Sequence, residues 1–329
     1  MRPTLRRATT AGSAALLVVL GGAALTGCTT PVAGGCYGGF AAGSASDAVT
    51  VTGDVGEVDE IDFPTPLLTT TGTQVTVLEE GEGDPLPMYG VADVEFTILD
   101  GRTGQVAQAS AYGEGTGTRL TVGDATGDLT LALQCARAGS RIVIVTTGSN
   151  TATLAAREDA EPIDPADDLM YVVVFDVEAT WLGKANGINQ LPLDGMPTVV
   201  TAVDGTPGIT MNSGDAPTEG RSSAIKAGAG AQLADGDEVL LHYRTWGWPT
   251  TSGSKATVQG GTWGAAPLVA TLAEDSVVLS DGTDLGAVAA EALIGAKVGS
   301  QLLVVTPGAD GAATIAVIDV LGVTSAASE

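Results

Sequence analysis

Residues 296–308 read Ala-Lys-Val-Gly-Ser-Gln-Leu-Leu-Val-Val-Thr-Pro-Gly, and residues 136–148 read Ala-Arg-Ala-Gly-Ser-Arg-Ile-Val-Ile-Val-Thr-Thr-Gly. Each stretch is a turn at Gly-Ser followed by a run of apolar, mostly branched residues, which is the pattern of a buried strand. Two copies of one pattern in a single chain indicate an internal repeat. The fold is therefore predicted as two similar units.

Similar segments flank both copies of the repeat. An apolar strand that contains Asp follows each copy, at residues 171–178 and 315–321. A strand of alternating character precedes each copy, at residues 93–97 and 238–243. The copies differ most in an acidic insertion with two prolines at residues 148–168, which is open to interpretation as a lid or as a slack loop.

A short helix is predicted between the early strands and the repeated stretch. In the second copy Ala287, Ala290 and Leu293 have helical spacing, whereas in the first copy a helix is inferred from the repeat alone. One short helix cannot cover both faces of a sheet. The predicted fold class is therefore α+β, with an antiparallel sheet wrapped around one helix in each unit.

The charge of the chain limits its partners. It has 39 acidic and 14 basic residues, which gives a formal net charge of −25, and the carboxylates are scattered rather than clustered. Such a surface repels phosphate groups, so we expect no binding to nucleic acid. The abundance of Gly, Val and Thr predicts many short strands joined by tight turns.

The N-terminus has the features of a secretory signal. Three arginines precede an apolar run over residues 14–25, which is too short to cross a bilayer as a stable helix. The run ends in Leu-Thr-Gly-Cys28, which resembles the lipobox of bacterial lipoproteins. The resemblance implies a diacylglycerol on the thiol of Cys28. We therefore expect a lipid anchor to the cell membrane, with the protein on its extracytoplasmic face.

Two further cysteines, Cys36 and Cys135, remain once Cys28 is lipidated. The oxidising space outside the cytoplasm permits a disulfide between them, which would tie the N-terminal segment to the first unit. Two separate thiols are also compatible with the sequence, so both alternatives stay open at this point.

Composition divides the chain into five segments. Residues 1–27 are the signal peptide, and residues 28–49, which are rich in Gly, Ala and Ser, are predicted as a flexible tether. The two units are predicted at 50–183 and 196–325. Residues 184–195 contain Gly, Asn and Pro and are predicted as the linker between them.

The order of these segments is similar to that of the FK506-binding-protein (FKBP) class of peptidyl-prolyl cis-trans isomerases. The most specific stretch is residues 292–307, Ala-Leu-Ile-Gly-Ala-Lys-Val-Gly-Ser-Gln-Leu-Leu-Val-Val-Thr-Pro, which is similar to the helix, turn and strand of that family. Residues 51–83 resemble the lead-in of exported actinobacterial members. The resemblance implies tandem FKBP-like domains, each an antiparallel sheet wrapped around one short helix.

The resemblance also implies a pocket for proline that needs no metal and no cofactor. Six residues match or lie near the pocket positions of the family, namely Phe96, Tyr112 and Phe175 in the first copy and Tyr243, Trp263 and Ile318 in the second. The Phe-Asp pair and the tryptophan at the helix start are lost in both copies, and Ala289 stands where the second copy would need that indole. Weakened or absent catalysis is therefore expected.

Two functions follow from these observations. The first is a membrane-tethered isomerase or foldase that acts on proline-containing polypeptides or secreted client proteins. The second is a non-catalytic binding or chaperone-like module, for which Trp246 and Trp248 would form part of an exposed apolar patch. The single histidine, His242, is interpreted as a surface residue of a strand. The sequence has no Gly-rich phosphate loop, no nucleophile elbow and no His/Cys cluster for zinc.

Overall fold

The computed structural model describes residues 35–67, 72–113, 117–123, 127–148, 170–211, 215–249 and 254–327. Over these ranges the chain is made mostly of antiparallel sheets, with few helices. None of the helices in this part of the chain is long and apolar enough to span a membrane.

The first half of the chain forms a small ladder and a six-stranded sheet. The ladder pairs β1 (Thr50–Thr52) with β2 (Glu60–Asp62), and the sheet contains β3 (Gln74–Glu79), β4 (Val91–Asp100), β5 (Val106–Ala109), β6 (Thr118–Thr121), β7 (Arg141–Thr147) and β8 (Met170–Trp181). The strand order is β3-β7-β8-β4-β5, and β6 pairs with the opposite end of β4. A short helix, α1 (Asp128–Leu131), lies between β6 and β7 in the chain.

The second half repeats this arrangement in an eight-stranded sheet. The sheet contains β9 (Ile188–Asn189), β12 (Arg221–Ala227), β13 (Glu238–Gly247), β14 (Thr257–Gly261), β15 (Leu268–Ala273), β16 (Ser276–Leu279), β17 (Gln301–Pro307) and β18 (Ala313–Ser325). A separate ladder pairs β10 (Thr198–Thr201) with β11 (Pro207–Thr210), and the helix α2 (Ala287–Leu293) lies between β16 and β17 in the chain. The strand order is β16-β15-β13-β18-β17-β12-β9, with β14 beside β13. The repeated stretches of sequence form β7 and β17, and in both sheets the last strand lies at the centre.

One face of each sheet, here called the helix side, packs against the helix. In the first sheet Leu129 of α1 shares a buried cluster with Ile142 and Phe175. In the second sheet Leu293 of α2 shares a buried cluster with Ile318. The apolar alternation of the central strands places these side chains on one face because neighbouring residues of a strand point to opposite sides.

The opposite face, here called the hairpin side, is buried as well. In the first sheet Val49 and Phe63, which flank the β1–β2 ladder, pack on Val143. In the second sheet the apolar residues of β10 and β11 pack on Trp246 and Trp248, which are only 4% and 8% exposed. The predicted exposed patch around these tryptophans is therefore wrong. Both rings fill the core between β13 and the ladder.

Two segments that were predicted as connectors pack on the sheets instead. In the predicted tether, residues 35–48 contain 3-10 turns at Cys36–Gly39 and Ser46–Ala48, and Ala45 and Ser46 are buried. In the predicted linker 184–195, β9 pairs with β12. The prediction failed because these stretches lack apolar periodicity and are held by hydrogen bonds and single buried side chains.

A small cluster joins the two sheets. Trp181 and Leu182, at the end of β8, pack with Leu240 of β13 and Leu321 of β18. The indole N–H of Trp181 donates to the carbonyl of Val323 at 3.3 Å. Gly322 lies directly under this ring, and a Cβ at that position would be 2.0 Å from Cδ1 of Trp181. Only glycine leaves room for this junction.

A disulfide fastens the N-terminal segment to the first sheet. Cys36 is bonded to Cys135, which is 99 residues away in the sequence, and the backbone N–H of Tyr37 donates to the carbonyl of Gln134 at 2.7 Å. The sequence had left the state of the two thiols open. The bond holds residues 35–40 against the end of the helix segment.

We predict that the double substitution Cys36→Ala and Cys135→Ala lowers the free energy of unfolding by about 2–5 kcal/mol, because a cross-link over a loop of this length removes much conformational entropy from the unfolded chain. Urea unfolding measures the difference. A reducing agent should destabilise the unsubstituted protein to a similar extent and leave the double variant unchanged. Equal stability of the two proteins would show that the bond adds nothing.

Candidate functional site

The second sheet has a cleft of about 410 Å³ on its helix side. Tyr243 and Thr245 line it from β13, and Leu285 and Gly286 line it from the turn before α2. The remaining wall is formed by Gln259, Gly260, Thr283, Asp284, Thr306, Thr314 and Ala316. The volume lies within the range of ordinary ligand pockets in proteins.

Strand register explains why these side chains meet. Tyr243 lies opposite Ile318 in the β13–β18 pairing, and Thr245 lies opposite Ala316. Thr306 lies opposite Thr314 in the β17–β18 pairing. Since side chains alternate along a strand, these residues share the face on which Tyr243 lies. None of the four threonines that line the cleft was predicted from the sequence, although counting every second residue back from Ile318 would have found Ala316 and Thr314.

The wall of the cleft is poor in aromatic rings. Among its described lining residues Tyr243 is the only aromatic one, and its side chain is 6% exposed. Ala289, where the resemblance would require an indole, lies on the buried face of α2 and belongs to the second core. Asp284 is engaged locally, because its Oδ1 accepts the N–H groups of Val277 at 3.1 Å and Gly286 at 2.8 Å. The cleft therefore offers one ring, small apolar groups and hydroxyls.

The first-copy residues Phe96 and Phe175 contact each other in the first core. They are paired across β4 and β8, and their ring centroids are 6.5 Å apart in an edge-to-face arrangement. Their exposed fractions are 1% and 0%. Ile318, the second-copy counterpart of Phe175 on β18, is also fully buried, and it lies opposite Tyr243, the counterpart of Phe96.

Tyr112 and Trp263 do not join these residues, which corrects the expectation from the sequence. The hydroxyl of Tyr112 is 2.8 Å from Oγ1 of Thr97, whose side chain points away from that of Phe96. Trp263 stacks on the ring of His242 with centroids 4.3 Å apart, and His242 points away from Tyr243. Both rings therefore lie on the hairpin side. Burial raises the pKa of Tyr112 to about 12.

His242 is buried, so its interpretation as a surface residue is wrong. Its side chain is 5% exposed, and its Nδ1 is 2.7 Å from Oγ1 of Thr262. Burial lowers its pKa to about 4, which leaves the imidazole neutral at pH 7. With its ring packed beneath Trp263, His242 has a structural role on the face opposite the cleft.

A buried carboxylate lies on the hairpin side of each sheet, and the two copies hold it differently. In the first sheet Asp176 receives two hydrogen bonds of 2.7 Å from the guanidinium of Arg141. In the second sheet Asp319 receives 2.8 Å hydrogen bonds from the neutral amide of Gln301 and from the backbone N–H of Ala185. Burial raises the pKa of Asp319 to about 6, although the hydrogen bonds from Ala185 and Gln301 and the nearby charge of Lys226 act in the opposite direction.

Two of the predicted features lie outside the described residues. These are Cys28, the predicted site of lipid attachment, and residues 149–168 of the first-copy insertion.

We predict that Asp319→Asn makes the fold more stable at neutral pH. The pKa of Asp319 is about 6 in the folded state and near 3.8 in the unfolded state, so the folded state binds the proton more tightly and loses stability as the pH rises from 4 to 6. Asparagine does not titrate, so the variant does not lose stability over this pH range. Its side-chain oxygen can still accept a hydrogen bond from the amide of Gln301.

The gain in unfolding free energy over the unsubstituted protein should be near zero at pH 4 and at most about 3 kcal/mol at pH 7. Urea unfolding across this pH range measures it, and Asp275→Asn on an exposed turn is the control. A gain that does not change with pH would contradict the assignment.

Comparison with known proteins gives structural likenesses only, since no family model and no curated protein matches the sequence. The structure of the three FKBP domains of wheat FKBP73 is similar at 13% identity, a TM-score of 0.29, and coverage of 77% of this chain and 95% of that one. The N-terminal domain of FKBP42 from Arabidopsis thaliana gives 12% identity, a TM-score of 0.27 and coverage of 39% and 98%. A multi-domain immunophilin from Arabidopsis thaliana gives 10% identity, a TM-score of 0.29, and coverage of 38% of this chain and 46% of that one.

Proposed function

We propose that this chain is a lipid-anchored, extracytoplasmic protein with two FKBP-like domains, whose second domain binds proline-containing segments of secreted client polypeptides. The domains correspond to residues 50–183 and 196–325, each an antiparallel sheet around one short helix and each preceded by a segment that packs on it. The observation that carries the proposal is the cleft of about 410 Å³ between β13 and α2, with Tyr243 on its wall.

The cleft suits the chemistry of prolyl isomerisation because that reaction needs no nucleophile. The barrier of roughly 20 kcal/mol comes from the partial double bond of the amide. A protein lowers it by binding the twisted amide more tightly than the planar one. The ring of Tyr243 and the side chain of Leu285 offer apolar contact to a proline ring, and the hydroxyls of Thr306 and Thr314 are available to peptide groups.

Catalysis is expected to be weak. An aromatic pair contributes roughly 0.5–1.5 kcal/mol beyond the area that it buries, so each lost ring weakens the discrimination between twisted and planar amides. The cleft retains one ring, and Ala289 supplies no floor. This favours a foldase-like protein with an eroded active site. The alternative is a non-catalytic binding module that uses the same cleft, and the single ring is the observation in its favour.

We predict that Thr306→Trp blocks the cleft. Thr306 lies at its edge and is partly exposed, so a larger side chain can enter the cleft without displacing the core. Binding of a short Xaa-Pro peptide, followed by fluorescence, should weaken by at least about tenfold, which corresponds to ~1.4 kcal/mol. The matched control is Thr271→Trp, on an exposed position of β15 outside the cleft.

A prolyl-isomerase assay at high protein concentration distinguishes the two functions. Catalysis that Thr306→Trp abolishes and Thr271→Trp retains would establish the isomerase. Peptide binding that responds in the same way, with an uncatalysed rate of isomerisation, would establish the binding module. If neither the rate nor the binding responds to Thr306→Trp while the protein stays folded, the cleft is not the site.

We predict that Cys28→Ala releases the protein from the membrane fraction, because one residue supplies the attachment point for the whole anchor. Incorporation of labelled fatty acid should be lost at the same time. Cys36→Ala should retain both the label and the membrane association, since that thiol forms the disulfide. Labelling of the Cys28→Ala variant would show that the anchor is elsewhere.

A further inference from the structure

Strand β12 forms an outer edge of the second sheet for half of its length. On one side it pairs with β17 from Arg221 to Lys226. On the other side β9 reaches only Lys226 and Ala227, and the N–H of Gln190 then donates to the carbonyl of Ile225 at 2.8 Å. Beyond that point the chain turns onto the hairpin side, where Met196 is buried.

Residues 222–224 therefore present an open backbone edge. Within the described ranges no residue outside β17 is hydrogen-bonded to them, and the side chains of Ser222 and Ala224 are exposed. An unpaired edge is a template for a further strand, and proteins generally cover or interrupt it. The chain itself covers the C-terminal end of β12 in this way, because β9 is an antiparallel strand paired with Lys226 and Ala227.

The first sheet covers the corresponding edge. Its outer strand is β3, and the N–H of Val75 donates to the carbonyl of Ala41 at 3.1 Å. The side chain of Gln74 accepts the N–H groups of Ala45 and Ser46 at 3.0 and 3.2 Å. The disulfide at Cys36 helps to keep this segment in place. Among the described residues of the second copy none covers residues 222–224 in this way, although the strand order β12-β17-β18-β13 matches β3-β7-β8-β4 of the first sheet.

A cleft lies on each side of the open edge. On the hairpin side a cleft of about 440 Å³ is lined by Ser223, Ile225 and Leu303, and on the helix side one of about 520 Å³ is lined by Ser222 and Ala224. A strand added to the edge would send successive side chains to opposite faces. Its alternate side chains would therefore enter the two clefts in turn, which is the usual arrangement for peptide binding by strand addition.

The charge at this edge differs from that of the whole chain. Arg221 and Lys226 lie at its two ends, and Lys297 lines the helix-side cleft. None of the three forms a salt bridge with a described carboxylate. In a chain with a net charge of −25 this group attracts acidic segments and does not repel uncharged ones. A second copy would bring the same cations and the same net charge face to face, so it is disfavoured.

We propose that the open edge of β12, at residues 222–224, binds an extended acidic or uncharged segment of another polypeptide as an added antiparallel strand. This site is separate from the Tyr243 cleft, which lies between β13 and α2. It requires no proline, because recognition is through the backbone and through the side chains that enter the two clefts.

The test uses the full chain, purified in a mild detergent, and a fluorescent peptide of alternating valine and glutamate that contains no proline. Ser222→Glu with Ala224→Glu should weaken binding by at least about tenfold, because like charges then face the peptide. The matched control is Thr271→Glu with Val278→Glu, on exposed positions of β15 and β16, which should bind as the unsubstituted protein does. A valine and lysine peptide should bind at least about tenfold more weakly.

The backbone contribution is tested by N-methylation of every second residue of the peptide. Two peptides are compared, one methylated at the odd positions and one at the even positions. The peptide that loses the N–H groups facing β12 should not bind, whereas the other should bind as the unmethylated peptide does. Binding that survives both patterns of methylation, or that ignores the glutamate substitutions at the edge, would overturn the proposal. Self-association lost in the edge variant would also overturn it, since the occupant would then be a second copy. Thr306→Trp should leave this peptide's binding unchanged, which separates this test from that of the Tyr243 cleft.

Discussion

Both halves of the molecule depend on the burial of the central strand on both of its faces. β8 and β18 are the last strands of their sheets, lie between two other strands, and are buried along most of their length. Their side chains point to both sides, so each sheet needs a cover on each face. A helix of four or seven residues covers only one. The β1–β2 ladder with Val49 supplies the other cover in the first sheet, and the β10–β11 ladder with Met196 supplies it in the second.

Each cover is tied to a buried carboxylate on its central strand. In the first sheet Arg141 pairs with Asp176 and also donates to the carbonyls of Gly53 and Asp54, so one ion pair holds the loop between β1 and β2. In the second sheet Asp319 accepts the N–H of Ala185 directly. Breaking a buried pair leaves an uncompensated charge, so the two positions are constrained in different ways although they occupy the same place in the repeat.

The repeat predicted the central strands well and the covers poorly. β7, β8, β17 and β18 are mostly apolar, with one Asp within β8 and one within β18, and their order follows from the repetition. Residues 35–67 are held by turns, by the disulfide and by isolated side chains such as Phe63. Such contacts leave no regular spacing of apolar residues in the sequence, so these residues could not be assigned to the core in advance. The cleft was predicted only through Tyr243. Trp263 was misplaced because it follows the end of β14, whose register with β13 shifts at Thr245, and alternation gives no information beyond such a shift.

Residues that match the pocket positions of a family by sequence resemblance are weak evidence of function when they also fill the core. Ile318 does not line the Tyr243 cleft and is fully buried opposite Tyr243 in the strand pairing, so core packing alone accounts for an apolar residue there. Phe96 and Phe175 are buried in the same way in the first sheet. The informative positions are those that line the cleft without belonging to a core cluster, such as Gln259, Thr306 and Thr314. Core packing does not require polar side chains there, and a larger residue in place of Thr306 or Thr314 would close the cleft. The open cleft is therefore a better guide to function in this chain than the buried aromatic residues are.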